Sequence, residues 1–556
     1  MRHLSRFGIA AALLALAACA APPLPAQVEV RLLAFNDFHG HLETPPYGLP
    51  VPDPDRPGAT KVARSGGAAH LATALAELRQ GHGNTITVAA GDLVGASPLA
   101  SSLFFDEPTV TALGDMGLAF SSVGNHEFDR GRAELLRLAQ GGCHPREGCV
   151  EGTSWPGARY AWLAANVIDT ATGEPFLPGH AVRDFQGIPV GFIGVVLRST
   201  PSIVLKSGIA GLAFIDEADA VNAQVRLLRA KGVEAIVVLI HEGGQSSGAY
   251  NDPACPGFEG AIIDIVRRFD RAVDVVVSGH THQAYLCRVD GRLVTSAGSY
   301  GRVVTAIDLT LDRATGEASV TGAGNFLVAP DRYPADARMA AFVAATATRV
   351  QAKAGRPVGT LAGEFSPLAN PAGESALGRI LADAQLAATR EESGAQVAFM
   401  NPGGIRAPLS SKRPDHVLTY GDTFAVQPFG NNLVTMTLTG AQVVQALEQQ
   451  WPAEAGARAR ILAVSDGFSY AWRASGPQGS RVVPGSVTLA GKPLDPLAPY
   501  RVTVNAFLAL GGDNFTVFSQ GVEVSGGPID LDALEAWLSL PAPGVRPSLA
   551  RIRRLD

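Results

Sequence analysis

The sequence predicts a layered α/β domain followed by a second folded domain, the two joined by a helix. Short apolar runs rich in β-branched residues alternate with helical stretches through the first half, and polar or glycine-containing motifs close nearly all of these runs. An alanine-rich helical stretch then divides the chain at 335–354. The 556 residues exceed the roughly 250–300 that one hydrophobic core usually organises. A composition of 46% hydrophobic and 17% charged residues is that of a globular chain.

Residues 1–26 are set aside as a targeting segment. Arg2 and Arg6 form a positive start, 7–18 is an apolar run too short to span a bilayer, and small residues follow. The chain is therefore expected to be exported. Leu16-Ala17-Ala18-Cys19 resembles the lipobox of bacterial lipoproteins, which would place a lipid anchor on Cys19 and the protein in the periplasm or at the outer membrane. Ordinary cleavage near Ala21 or Ala26 is the alternative.

Strands are predicted at 28–35, 85–90, 120–123, 235–240 and 273–278, and helices at 67–79 and 218–230. This alternation is expected to gather the strands into a single sheet with its ligands beyond the strands' carboxyl ends. The Pro-rich stretch 44–57 reads as an inserted loop, either a cover for the site or inert surface. After hairpin-like strands near 303–311 and 318–328, Pro334 suits a first helical turn and 335–354 a helix ending at Gly355. The expected division is 27–332 for the first domain, 333–355 for the linker helix and 356–556 for the second domain.

Five motifs follow the predicted strands: Asp37 with His39; Gly91-Asp92; Gly124-Asn125-His126-Glu127; His241; and Gly279-His280-Thr281-His282. A lone Asp-x-His is weak, because such pairs often cap turns, but the ordered set supplies seven oxygen and nitrogen ligands. Carboxylate, amide oxygen and imidazole suit zinc, manganese, iron or cobalt, and the lack of a cysteine among them argues against a thiolate structural zinc site. Two such ions about 3.5–4 Å apart clamp a phosphoryl group and activate water at neutral pH. Asp92 is the expected bridge between them. The other histidines, His3, His41, His70, His82, His144, His180 and His416, read as surface or loop residues, with His41 close enough to His39 to sit behind it.

With these motifs the chain resembles the secreted 5'-nucleotidase and UDP-sugar hydrolase family over roughly residues 28–540. The resemblance implies a calcineurin-like metallophosphatase domain followed by an α+β 5'-nucleotidase C-terminal domain, joined by a helix that can act as a hinge. It also implies two divalent metal ions, one held by Asp37, His39, Asp92 and His282 and the other by Asp92, Asn125, His241 and His280. His126 falls on the family's catalytic histidine and Asp129 on the aspartate that orients it, a pairing suited to charge stabilisation or proton delivery.

The second half carries recognition. Asn401-Pro402-Gly403-Gly404-Ile405-Arg406 follows a predicted strand at 396–400, Gln427-Pro428-Phe429-Gly430-Asn431 comes next, and Phe507 precedes Gly511-Gly512-Asp513. Two rings can sandwich a base, with about 1–3 kcal/mol per stacked base. Phe429 and Phe507 match the family's stacking pair, Asp513 its ribose-binding carboxylate, and Asn401 and Arg406 residues lining its pocket. Taken alone, the phenylalanines read as core. One departure stands out: the segment 363–373, where relatives present arginines before a helix at 374–388, holds no basic residue, and Arg379 aligns with a different position.

The implied function is an exported, metal-dependent 5'-nucleotidase of nucleotide catabolism, acting on nucleoside 5'-monophosphates and also on UDP-sugars or other nucleotides. A 2',3'-cyclic nucleotide phosphodiesterase with 3'-nucleotidase activity, a thiosulfohydrolase and a non-catalytic nucleotide-binding surface protein are the alternatives. A net charge of −6 and a pI near 6.1 offer no basic surface for nucleic acid polymers, so the expected partner is a small nucleotide. Membrane contact is expected only through Cys19. The remaining cysteines, Cys143, Cys149, Cys255 and Cys287, form an even set in an exported chain and suggest disulfides. Cys143 with Cys149 would close a short loop, and Cys255 with Cys287 would brace two ligand loops; free buried thiols are the alternative.

Overall fold

The structure, a computed structural model, describes residues 25–556 except 47, 54, 57, 58, 146, 147, 205, 362, 412, 452–458 and 541–548. Cys19 and most of the targeting segment lie outside the described residues. The strands of the first half do not form one sheet. They form two six-stranded sheets packed face to face.

In the first sheet Gln27–Phe35, Thr85–Ala90, Leu118–Ser122 and Ala161–Leu163 run parallel, with Val303–Asp312 and Ala318–Leu327 added antiparallel at one edge. In the second, Ala235–His241 lies between Ile188–Val196 and Val273–Ser278, all parallel, and antiparallel strands close the edges. Leu32, Val88, Leu163, Phe192, Leu239, Val277 and Leu309 fill the space between the sheets. Each such side chain contributes roughly 1.5–3 kcal/mol of burial before the opposing conformational entropy.

The single-sheet expectation failed for a physical reason. A strand covered by a helix on one face and by a sheet on the other carries the same unbroken apolar run as one sandwiched by helices. The outer faces do carry helices. Ala68–Arg79 buries Ala68, Leu71, Ala74 and Leu75 along one stripe, and Glu217–Arg229 buries Val221, Val225 and Leu228. Asp216 caps the latter by accepting from the Ala218 and Asp219 backbone N–H groups. Within the Pro-rich stretch, Leu49–Pro52 pairs antiparallel with Thr60–Ala63. A two-stranded ribbon has no third strand to pair with, so its prolines forfeit little.

A helix, Ala337–Ala354, leads into the second half. There Ala463–Val464, Val397–Met400, Pro499–Asn505, Asn432–Thr439 and Val522–Ile529 form a five-stranded mixed sheet. One core packs around Phe399, Phe468, Tyr470, Trp472, Phe515 and Phe518. The helix Ala376–Ser393 starts at Ser375, whose hydroxyl accepts from the Gly378 N–H, and stops at Gly394 in the left-handed region. Disulfides join Cys143 to Cys149 and Cys255 to Cys287. Among the described residues no helix is long and apolar enough to cross a membrane.

Candidate functional site

The five motifs converge although they come from two sheets. Asp37, His39, Asp92 and Asn125 lie on loops past Gln27–Phe35, Thr85–Ala90 and Leu118–Ser122 of one sheet. His241 ends its strand in the other sheet, and His280 and His282 follow Val273–Ser278. Asp37, His39, Asp92, His280 and His282 all adopt positive φ, between 47° and 71°. Side chains other than glycine at such angles cost about 1–3 kcal/mol each and persist only where neighbours hold them. Here the Asp37 N–H donates to Gly91 O at 3.0 Å, the His39 N–H to Asp92 O at 3.0 Å and the Tyr300 N–H to Asp37 O at 2.8 Å. Gly124 is held to glycine by space alone, since a Cβ there would lie 2.1 Å from Asp92 Oδ1.

Three overlapping sets place ligand atoms within 4.8 Å of one another: Asp37, His39 and His282; His39, Asp92 and His126; and Asp92, His241 and His280. His39 Nε2 and His282 Nε2 face each other at 3.1 Å, and Asp37 Oδ1 is 3.3 Å from His282 Nε2. His241 Nε2 sits 2.9 Å from Asp92 Oδ2, yet the approach is not that of a hydrogen bond and the nitrogen is buried without a partner. Asn125 Oδ1 is likewise buried and unpartnered. Carboxylate and imidazole atoms this close together, too costly to bury unmatched, fit a bound cation, and the mix of oxygen and imidazole donors fits a first-row divalent metal.

The surrounding groups set each ligand's state. His39 Nδ1 donates to Gly95 O at 2.9 Å and His241 Nδ1 to Ala90 O at 2.7 Å, so the other nitrogen of each ring is directed inward. Burial opposes ionisation of Asp37, but His282 and His39 hold it well below the usual carboxylate range. Burial likewise works against charge on His241, yet Asp92 outweighs it and raises the imidazole to about 10. For His280 burial prevails, helped by His241, and the value falls to about 4.

His126 Nδ1 donates to Asp129 Oδ2 at 2.7 Å, and the His126 N–H donates to Asp92 Oδ1 at 2.9 Å. Burial disfavours the imidazolium, but Asp129 and Asp92 override it and lift His126 to about 9. Sequence reasoning left two neighbours, Glu127 and Tyr300, without a role. Glu127 accepts the N–H groups of Asp92, Leu93 and Gly124 at 2.9, 2.8 and 2.5 Å, tying two motif loops together. Tyr300 packs edge-on against His39 and His282, and its ring lies 4.0 Å from that of His41. Burial and the charge of His39 push His41 down to about 3, so it stays neutral behind the centre. A tyrosine in a glycine-flanked turn carries no ligand signal in sequence.

In the second half the two phenylalanines are not core. Phe429 is 37% and Phe507 47% exposed. Buried Asn401 donates from Nδ2 to Asp513 Oδ2 at 2.8 Å and accepts from Asn505 Nδ2 at 2.9 Å. Asp513 is itself left-handed, with φ 55°. The Arg406 guanidinium lies 5.8 Å from the Phe429 ring centroid. Arg460, unmarked by any motif, donates to Asp513 O at 2.7 Å. The adjoining Ile461 packs on Gly373 of the segment without arginines, so closely that a Cβ on Gly373 would lie 2.5 Å from it.

Two family models match the chain in this order: calcineurin-like phosphoesterase over residues 30–284, and 5'-nucleotidase, C-terminal domain, over residues 357–520. The chain belongs to the 5'-nucleotidase family. One similar protein is the endonuclease YhcR of Bacillus subtilis, 33% identical over 91% of this chain and 39% of its own length. The cell wall protein Lmo0130 of Listeria monocytogenes is 31% identical over 89% of this chain and 64% of its own length. This 5'-nucleotidase family member thus spans about two fifths and just under two thirds of those relatives. The crystal structure of a 5'-nucleotidase precursor from Thermus thermophilus is 28% identical, with a TM-score of 0.54 over 95% of this chain and 99% of that one.

Proposed function

We propose that the chain is an exported phosphohydrolase with two metal ions that converts nucleoside 5'-monophosphates to nucleoside and phosphate, and that also accepts UDP-sugars or other nucleotides. The observation that carries this reading is the convergence of Asp37, Asp92, His39, His241, His280 and His282 ligand atoms, with His241 Nε2 and Asn125 Oδ1 buried without a hydrogen-bond partner. Asp37, His39, Asp92 and His282 would hold one ion, and Asp92, Asn125, His241 and His280 the other. Bound there, zinc, manganese, iron or cobalt would polarise phosphoryl oxygens and activate water.

The chain's own groups supply the rest. Asp129 holds the His126 ring by its Nδ1–H, within reach of the same centre, so the imidazole can stabilise charge on the transferring phosphoryl group or protonate the departing alkoxide. Phe429 and Phe507 stack the base, Asp513 binds ribose, and Asn401 and Arg406 line the pocket. The exposure of both rings supports this role over one in the core. Export is supported by the two disulfides. A lipid on Cys19 would make Cys19→Ser release the protein from the membrane fraction.

Product formation across a panel tests the reading: phosphate from nucleoside 5'- and 3'-monophosphates, the ring-opened monophosphate from a 2',3'-cyclic nucleotide, UMP from a UDP-sugar, sulfate from a thiosulfate-conjugated substrate and shorter fragments from a single-stranded oligonucleotide. Preference for the 5'-monophosphates supports it. Turnover confined to any other member contradicts it.

A further inference from the structure

Hydrogen bonds and one strand pairing link the nucleotide pocket to the catalytic histidine, and this link crosses the domain boundary at Asn432. Asn432, at the start of the strand Asn432–Thr439, is buried where the second half meets the first. Its Nδ2 donates to Asp129 Oδ1 at 2.8 Å and to Ile203 O at 3.1 Å. The other oxygen of that carboxylate, Oδ2, accepts from His126 Nδ1 at 2.7 Å. Asp129 is thus held from both sides, once by each domain.

The next residue along the strand, Leu433, pairs with Asn505. Asn505 donates to Asn401 Oδ1, and Asn401 in turn donates to the Asp513 carboxylate. The domains meet closely around this point. A Cβ on Gly526 would lie 1.9 Å from Val204 O, and one on Gly430 3.2 Å from Ala96 Cα. A buried carboxylate facing a histidine gains definition from each hydrogen bond it accepts, and losing one frees it to rotate.

We propose that Asn432 is a positioning residue for His126: it fixes the Asp129 carboxylate, so that His126 is correctly held only while the recognition domain is docked. The inference rests on the phosphohydrolase reading above and adds a coupling between domain seating and the chemical step. It predicts an effect on turnover for any substrate, including one that never touches the recognition pocket.

The test uses the full chain with its metals bound and compares Asn432→Leu with wild type on a nucleoside 5'-monophosphate and on 4-nitrophenyl phosphate. The expected result is a roughly 10–100-fold fall in kcat for both substrates, with an unchanged KM for the aryl phosphate and unchanged metal content. In an Asp129→Ala background the same substitution should change kcat by less than about twofold, because it acts through Asp129. If leucine is not tolerated at the buried position, Asn432→Ser enters the same cycle. A wild-type kcat in the variant, a loss confined to nucleotide KM, or a full loss that persists in the Asp129→Ala background each overturns the inference. A wild-type protein inactive on both substrates overturns the phosphohydrolase reading and this inference with it.

Discussion

His241 Nδ1 donates to the carbonyl oxygen of Ala90 at 2.7 Å, and that bond determines what the opposite ring nitrogen can do. With Nδ1 protonated, a neutral ring would present its Nε2 lone pair 2.9 Å from Asp92 Oδ2, two acceptors that either a proton or a bound metal ion reconciles, and a metal ion would displace that proton. The bond also links the sheets, since Ala90 ends a strand of one and His241 a strand of the other.

Metal content should therefore respond differently to two substitutions. His241→Ala should empty one position and leave the other filled, whereas Asp92→Ala, at the shared ligand, should deplete both. Elemental analysis of the purified variants decides this, and two metals retained per chain in Asp92→Ala would remove the bridge.

His126→Ala should lower turnover by roughly 10²–10⁴-fold while metal content stays at the wild-type level. Its ring is oriented by Asp129 and is not in the proposed ligand set, so loss of metal from this variant would reassign it as a ligand.

Phe429→Ala should raise KM for a nucleotide far more than for an aryl phosphate, because only the nucleotide has a base to stack. A contact of that kind is worth about 1–3 kcal/mol, or roughly five- to 150-fold in KM. Equal impairment of both substrates would make Phe429 a packing residue.

Stability should fall with rising pH through Asp274. Burial raises this carboxyl to about 7, although the Ile236 N–H, donating to it at 2.8 Å, and Arg292 oppose the shift. A raised acid stabilises the fold while it stays neutral, so its contribution is full below the unfolded value near pH 4 and is lost as pH rises through about 7. Asp274→Asn keeps an acceptor for Ile236 and cannot ionise. Its melting temperature relative to wild type should climb across that window, and a constant difference would contradict the assignment.

Much of the candidate centre was legible because its signals are local. Asp37, Asp92, Asn125, His241 and His280 each follow an apolar run by a few residues, and the residue types announce their chemistry. Two sheets in place of one were not legible, because strands such as Ala235–His241 are buried on both faces in either arrangement. Arg460, Tyr300 and Asn432 escaped for another reason. Each acts through a contact distant in sequence, on Asp513, on His39 and on Asp129, and nothing in the local pattern around them marks it.

The most direct measurement is phosphate release from a nucleoside 5'-monophosphate by chelator-treated protein as zinc, manganese or cobalt is returned. Activity should be lost on chelation and recover fully only as the second equivalent binds, because Asp92 serves both positions. Full activity after chelation, or complete recovery at one equivalent, would contradict a two-metal phosphohydrolase.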